Sequence, residues 1–194
     1  MKQFFDIFSV RTIAPITVAS ISASALSHQW FPHLITFEIS AVVPPLTEIV
    51  PTLIVLAPAF SLVAVCFMWA LRYSAKSAAN MKTSPVLLPF IAATLCGLVG
   101  VWLPQILGLG FSSINNMIAG EFALSLLVAI LIAKLLMTAL CIGFGLFGGV
   151  FSPSLFIGVA AGALAGQLMT LFGFANIASI VSVAGMAAVS SAVI

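Results

Sequence analysis

No charged residue stands anywhere between 135 and 194, yet the middle of that stretch reads Phe-Gly-Leu-Phe-Gly-Gly-Val-Phe-Ser-Pro-Ser-Leu-Phe-Ile-Gly, with glycines at 143, 145, 148 and 149 ahead of Ser152 and Pro153. A segment without charge asks for an apolar surrounding, while clustered glycines ask for a break in regular backbone. Serine is a good N-cap, its hydroxyl accepting an orphan N–H of the first turn. Proline suits the first helical position, where its missing N–H costs nothing. The spacing therefore predicts a helix over about 152–171, capped by Ser152. Irregular backbone at membrane depth is tolerated only when buried in protein or lining a polar cavity. A helix that starts there aims unpaired N–H groups and the positive end of its dipole at whatever lies in front, and such an end favours an anion.

The rest of the composition points the same way. The 194 residues are 63% hydrophobic and 5% charged, with a mean hydropathy of +1.33. So few charges cannot cover a soluble domain, so the fold class is all-α and polytopic in a membrane, with room for about six spans at roughly 20 residues each. A net charge of +2 without a basic patch gives no case for nucleic acid. Cys66, Cys96 and Cys141 sit far apart in apolar runs without His or Asp neighbours. They read as small core residues, neither disulfides nor metal ligands, so no metal site is expected. The N-terminus, with Asp6 and Arg11, does not read as a signal peptide.

Spans are predicted over about 12–30, 50–71, 85–106, 121–142, 152–171 and 178–194, joined by loops at 27–48, 74–84 and 108–120. Lys2 and Arg11 precede the first span, and Arg72, Lys76 and Lys82 follow the second, so all five basic residues fall on one side. Glu38 and Glu48 fall on the other. Basic residues mark the cytoplasmic face, which places the N-terminus in the cytoplasm, and at the inner membrane if the source is bacterial. Trp69 and Tyr73 then form an inner interfacial anchor. His28 and His33 belong to an outer loop and read as solvated.

Four features carry possible chemistry. Gly143 to Gly148 matches G-x-G-x-x-G, but a dinucleotide site needs a preceding strand, a βαβ unit and a following acidic residue, and none is present. The Gly149-Val150-Phe151-Ser152-Pro153 run offers consecutive free N–H groups at Val150 and Phe151 ahead of a helix, a nest able to hold an anion without a cationic side chain. The same residues also suit a plain capped helix start in a packed bundle. Lys134 falls mid-span, where a lone charge costs about 2.5–3.5 kcal/mol or more. Glu121 is roughly 20 Å away along the helix at 1.5 Å per residue, out of reach. Lys134 therefore reads as facing a water-filled inner vestibule, against a structural carboxylate pair or snorkelling. Gly158, Gly162 and Gly166 recur every four residues and predict a backbone-close helix crossing.

Gly148-Gly-Val-Phe-Ser-Pro-Ser-Leu-Phe-Ile-Gly resembles the G-x-F-x-P signature of the CLC family of chloride channels and proton–chloride exchangers. The run from Lys134 to Leu140, the glycines at 162 and 166, and Val183-Ala-Gly-Met-Ala-Ala resemble its flanking helices. The resemblance implies a CLC-type inverted-repeat helical fold with a broken helix near the midplane. The end of the first inverted half would cover about 1–45 and most of the second about 46–194. It implies backbone N–H groups of Val150 and Phe151 holding chloride, with Gly148, Gly149, Ser152 and Pro153 shaping the loop and cap. The small-residue first span would lie where the family's subunits meet, implying a homodimer in the full-length form. The family's G-S-G-I-P loop, G-[RK]-E-G-P loop and late tyrosine are absent, and the chain stops where the family continues with R-A-P-L-T, so it reads as an internal fragment. Phe144 and Phe147 stand where the family more often has small residues and would narrow the inner approach.

The leading expectation is thus a membrane-embedded transporter of chloride or a similar small anion, as a channel or in exchange for protons, without enzymatic chemistry or cofactor. Two alternatives are a non-transporting membrane fragment or assembly module, and an unrelated secondary transporter whose half-helix binds a carboxylate substrate.

Overall fold

The computed structural model describes residues 10–30, 45–81, 86–171, 173 and 177–194. Within them every regular element is helical: α1 (Val10–Trp30), α2 (Leu46–Asn80), α3 (Leu87–Trp102), a single 3₁₀ turn (Pro104–Ile106), α4 (Phe111–Ala119), α5 (Leu124–Gly143), α6 (Phe151–Leu171) and α7 (Ala178–Val193). The chain divides into two compact units, Met1–Thr36 and Phe37–Ile194. The first contains α1, whose described side chains, Val18, Ile21 and Leu26 among them, are exposed. Lys2, His33, Glu38 and Lys82, on which the expected loops and part of the charge asymmetry rest, lie outside the described residues.

In the second unit α6 is the central element. A helix apolar on every side belongs inside a bundle, and α6 buries Ser154, an unbroken run from Phe156 to Ala163, and Gly166. One side joins Ile114 and Met117 of α4 and Leu127 and Ile130 of α5 around Phe156, Val159 and Ala160. The other joins Phe60, Ala64 and Phe67 of α2 and Val181 and Val189 of α7 around Ile157 and Ala161. On the outside of this unit Ile54, Val55 and Leu62 of α2, Phe90 and Leu98 of α3, and Ile132 and Leu136 of α5 are exposed. Large apolar side chains facing outward on several helices suit a lipid surround. Three helical stretches, Ile49–Asn80, Leu124–Gly143 and Phe151–Leu171, are long and apolar enough to cross a membrane.

The α6–α7 crossing is made backbone to backbone. A Cβ at Gly158 would lie 2.5 Å from the Gly185 carbonyl oxygen, and one at Gly162 would lie 2.6 Å from both the Ser182 Cα and the Val181 carbonyl oxygen. Gly185 answers from α7, where a Cβ would fall 2.6 Å from the Gly158 oxygen. The every-fourth glycine spacing is therefore a packing seam, as its periodicity implies.

Two boundaries differ from the sequence expectation. The loop expected at 74–84 is largely helix, because α2 runs on to Asn80. Leu71-Arg-Tyr-Ser-Ala-Lys-Ser-Ala-Ala is rich enough in helix formers to continue the helix past its apolar section. The loop expected at 108–120 contains α4, with Ile114, Met117 and Ile118 buried at helical spacing between left-handed glycines at 110 and 120. Polar Ser112, Ser113, Asn115 and Asn116 mask that short period in the sequence.

Candidate functional site at the link between α5 and α6

The glycine-rich link has a defined entrance. Gly145 takes φ +91 just past the end of α5. Its N–H donates to the Ile142 oxygen at 3.1 Å and the Leu146 N–H donates to the Cys141 oxygen at 3.0 Å. This pair of bonds with a left-handed glycine between helix and exit is a Schellman stop, which satisfies carbonyls that α5 would leave bare. The chain then passes through Phe147, fully exposed, and the exposed Gly148 and Gly149.

The exit is the start of α6. The Ser154 N–H donates to the Val150 oxygen at 3.0 Å, so Val150 occupies the capping position. This corrects the expectation for Ser152: it is the second residue of the helix, not its cap. Pro153 is third, still within the turn whose N–H groups have no helical acceptor, which is why it is tolerated there. The fully buried Ser154 hydroxyl turns back instead, its Oγ donating to the Phe151 oxygen at 2.6 Å, and so caps no N–H. No backbone acceptor serves the N–H of Val150, Phe151 or Ser152 among the described residues.

An open cavity of about 510 Å³ lies against this link, walled in part by Gly148, Gly149 and Pro153, by Lys134 and Thr138 of α5, and by Cys96 of α3. The structure thus brings Lys134 together with the loop glycines and Pro153. It does not bring in the side chains of Val150 and Phe151: Val150 packs toward the α2–α7 core and Phe151 is 55% exposed.

Lys134 stands in the wall of this cavity, 7% exposed, with its head group taken up by the protein. Nζ donates to the Ile106 oxygen at 2.7 Å and to the Gly108 oxygen at 2.9 Å. It also lies 4.6 Å from the centroid of the buried Phe156 ring. A buried ammonium is tolerated when its protons are taken up by acceptors and an aromatic face. The partners are backbone groups 26 and 28 residues upstream, with no side-chain signal by which sequence reading could find them. Gly108 at φ +63 and Gly110 at φ +69 make the turn that presents these carbonyls. At Gly110 a Cβ would lie 2.5 Å from Phe156 Cε2. Gly110→Ala is expected to lower stability by about 1–3 kcal/mol, combining left-handed strain with overpacking. Thermal unfolding in detergent checks it; an unchanged midpoint would show that the turn is not held by this contact.

A profile of the voltage gated chloride channel family matches residues 3–194. Similar proteins include the voltage-gated ClC-type chloride channel ClcB of Citrobacter koseri, 30% identical over 65% of this chain and 31% of its own length. The H(+)/Cl(-) exchange transporter ClcA of Klebsiella pneumoniae is 38% identical over 45% of this chain and 18% of its own. An uncharacterized Methanocaldococcus jannaschii protein is 30% identical over 56% of this chain and 28% of its own. The chain thus spans less than a third of the length of these relatives. With nearly its whole length matched by the family profile, an all-helical fold and the glycine-rich link leading into α6, the chain belongs to the voltage gated chloride channel family.

Proposed function

We propose that this chain supplies part of a transmembrane pathway for chloride or a similar small anion, held by backbone N–H groups at the start of α6. The observation that carries this reading is the N-terminus of α6, where Val150, Phe151 and Ser152 offer successive N–H groups without backbone acceptors next to the cavity walled by Gly148 and Gly149. Amide donors hold an anion without the full charge that would bind it too tightly to release, which suits conduction. Broken-helix transporters place such half-helix N-termini at their ion sites, which supports the same use of the start of α6. The names of the two bacterial relatives, a chloride channel and a proton–chloride exchanger, support chloride as the anion and binding and passage, not covalent chemistry, as the activity.

Two further parts of the reading rest on sequence pattern. The basic residues Arg72 and Lys76 in the C-terminal third of α2, beside the stacked Trp69 and Tyr73 rings at 5.2 Å, support a cytoplasmic end there and hence a cytoplasmic N-terminus. Homodimer assembly and coupling to protons follow the resemblance alone, as does the division into inverted halves near residue 45.

Proline at position 151 tests the donor role, since proline fits the first helical position and removes one N–H. Phe151→Ala removes the ring and keeps the donor. In liposomes reconstituted with the protein, Phe151→Pro is expected to weaken anion binding about 10–100-fold relative to Phe151→Ala, the value of one charge-assisted hydrogen bond. Equal chloride binding by the two variants would sink the backbone-donor site. Flux of small carboxylates in the absence of chloride would favour the carboxylate-transporter alternative.

A further inference from the structure

Cys96 and Cys141 are separated by most of two helices in sequence, but the fold brings them together. Both line the cavity beside the glycine-rich link. Cys141 Sγ lies 4.0 Å from the Ala92 oxygen, one turn before Cys96 on α3. Helical side chains lean toward the N-terminus over the preceding turn, so the Cys96 thiol leans over the same Ala92 turn. Both thiols are free. Cys66, by contrast, is exposed on α2 and takes no part in the cavity wall, which corrects its expected place in a core.

We propose that Cys96 and Cys141 form a two-thiolate site for a soft monovalent cation of the Cu(I)/Ag(I) class. The donor set decides the metal. Among the described residues no group of three or more His, Cys, Asp or Glu side chains converges anywhere. A structural zinc site needs about four such ligands, whereas thiolate donors select soft ions, and Cu(I) and Ag(I) are satisfied by two in line. Binding releases both thiol protons, so two thiolates and one monovalent cation leave a net charge of −1. Lys134 lines the same cavity as the two thiols and supplies the compensating positive charge. A divalent ion on the same pair would give a neutral complex and draw nothing from Lys134. The site is independent of the anion reading, although it shares a cavity wall with Gly148 and Gly149.

Silver, which needs no reductant to stay monovalent, is the probe. In a Cys66→Ser background the protein in membranes is titrated with Ag(I), and the thiols left free are counted with a maleimide. One Ag(I) per chain is expected to protect both thiols. Binding is expected to weaken by about 100-fold or more in either Cys96→Ser or Cys141→Ser, as the second ligand is lost from its high local concentration. Maleimide labelling of the remaining thiol and helical circular dichroism establish that each variant is folded. X-ray absorption on the Cys66→Ser protein needs no further variant: two sulfur neighbours at silver support the site. A single sulfur neighbour, protection of one thiol only, or equal affinity in the single-serine variants would overturn it.

Discussion

Gly162→Ala is expected to destabilise the protein by about 1–3 kcal/mol, and Gly162→Leu by more, because the new Cβ meets backbone and not a side chain that can turn aside. The atoms in the way are the Ser182 Cα and the Val181 oxygen of α7, both 2.6 Å from the added carbon. Two effects compete. Alanine is a better helix former than glycine by about 1 kcal/mol, which alone would raise stability. The clash outweighs it here, since relief requires α6 and α7 to separate along a seam that also includes Gly158 and Gly185. The two helices bury much of the interior through this contact, with Ile157, Ala161, Val181 and Val189 in one apolar cluster. Gly97→Ala is the matching control: nothing lies within 4 Å of a Cβ at that position on α3. It is expected to be neutral or stabilising by up to about 1 kcal/mol. Thermal unfolding of the three proteins in one detergent decides the matter. Equal midpoints for Gly162→Ala and Gly97→Ala would mean that the crossing is loose enough to absorb a methyl group.

That seam was readable from sequence because every-fourth glycines in an apolar helix have few other uses. The membrane class was readable for a similar reason: a chain with 5% charge has too little polar surface to be soluble. The family, too, was legible, because an eleven-residue run around Ser152–Pro153 couples a turn, a helix start and a small-residue helix in fixed order. Boundaries were less legible. Ser152 and Pro153 both favour the first turn of a helix, but several neighbouring residues can serve as the cap, and the hydroxyl of Ser154 rather than Ser152 makes the turn's local bond. Propensity cannot choose among such neighbours when the packing of Phe156 and Ile157 fixes the phase of the whole helix.

What sequence could not carry were the contacts made by backbone or across helices. The Ile106 and Gly108 carbonyls have no residue-type signature, so the partner of Lys134 was invisible. The approach of Cys96 to Cys141 depends on how α3 and α5 are rotated against each other, and spacing within one helix says nothing about that. In an integral membrane protein this blindness is greater than usual, since apolar residues face lipid and protein alike and the helical period no longer separates inside from outside. Ile132 and Leu136, exposed on α5, are as hydrophobic as the buried Ile130 of the same helix.

Lys134→Met is expected to act twice, and the two effects separate by measurement. Methionine matches the length and apolar stem of lysine but donates nothing, so the Ile106 and Gly108 oxygens lose their partner inside the protein. Buried unpaired carbonyls cost about 1–3 kcal/mol, which predicts a lower unfolding midpoint. The same change removes a positive charge from the wall of the cavity beside Gly148 and Gly149. Under the proposed anion pathway a charge there raises the local concentration of anions, so conductance of the full-length protein in planar bilayers is expected to fall several-fold. Because counterions screen that attraction, the deficit should shrink as ionic strength rises, whereas a deficit due to fewer folded molecules would not. Lys134→Arg keeps the charge and the donors but spreads them over a planar fork in a site shaped for a compact ammonium. It is expected to retain most of the conductance while losing part of the stability. Unchanged currents in Lys134→Met would leave Lys134 as the clamp that holds the Ile106–Gly108 turn against Phe156, with no part in the pathway. A salt-sensitive loss of current would make the clamp and the anion attraction two consequences of one buried charge.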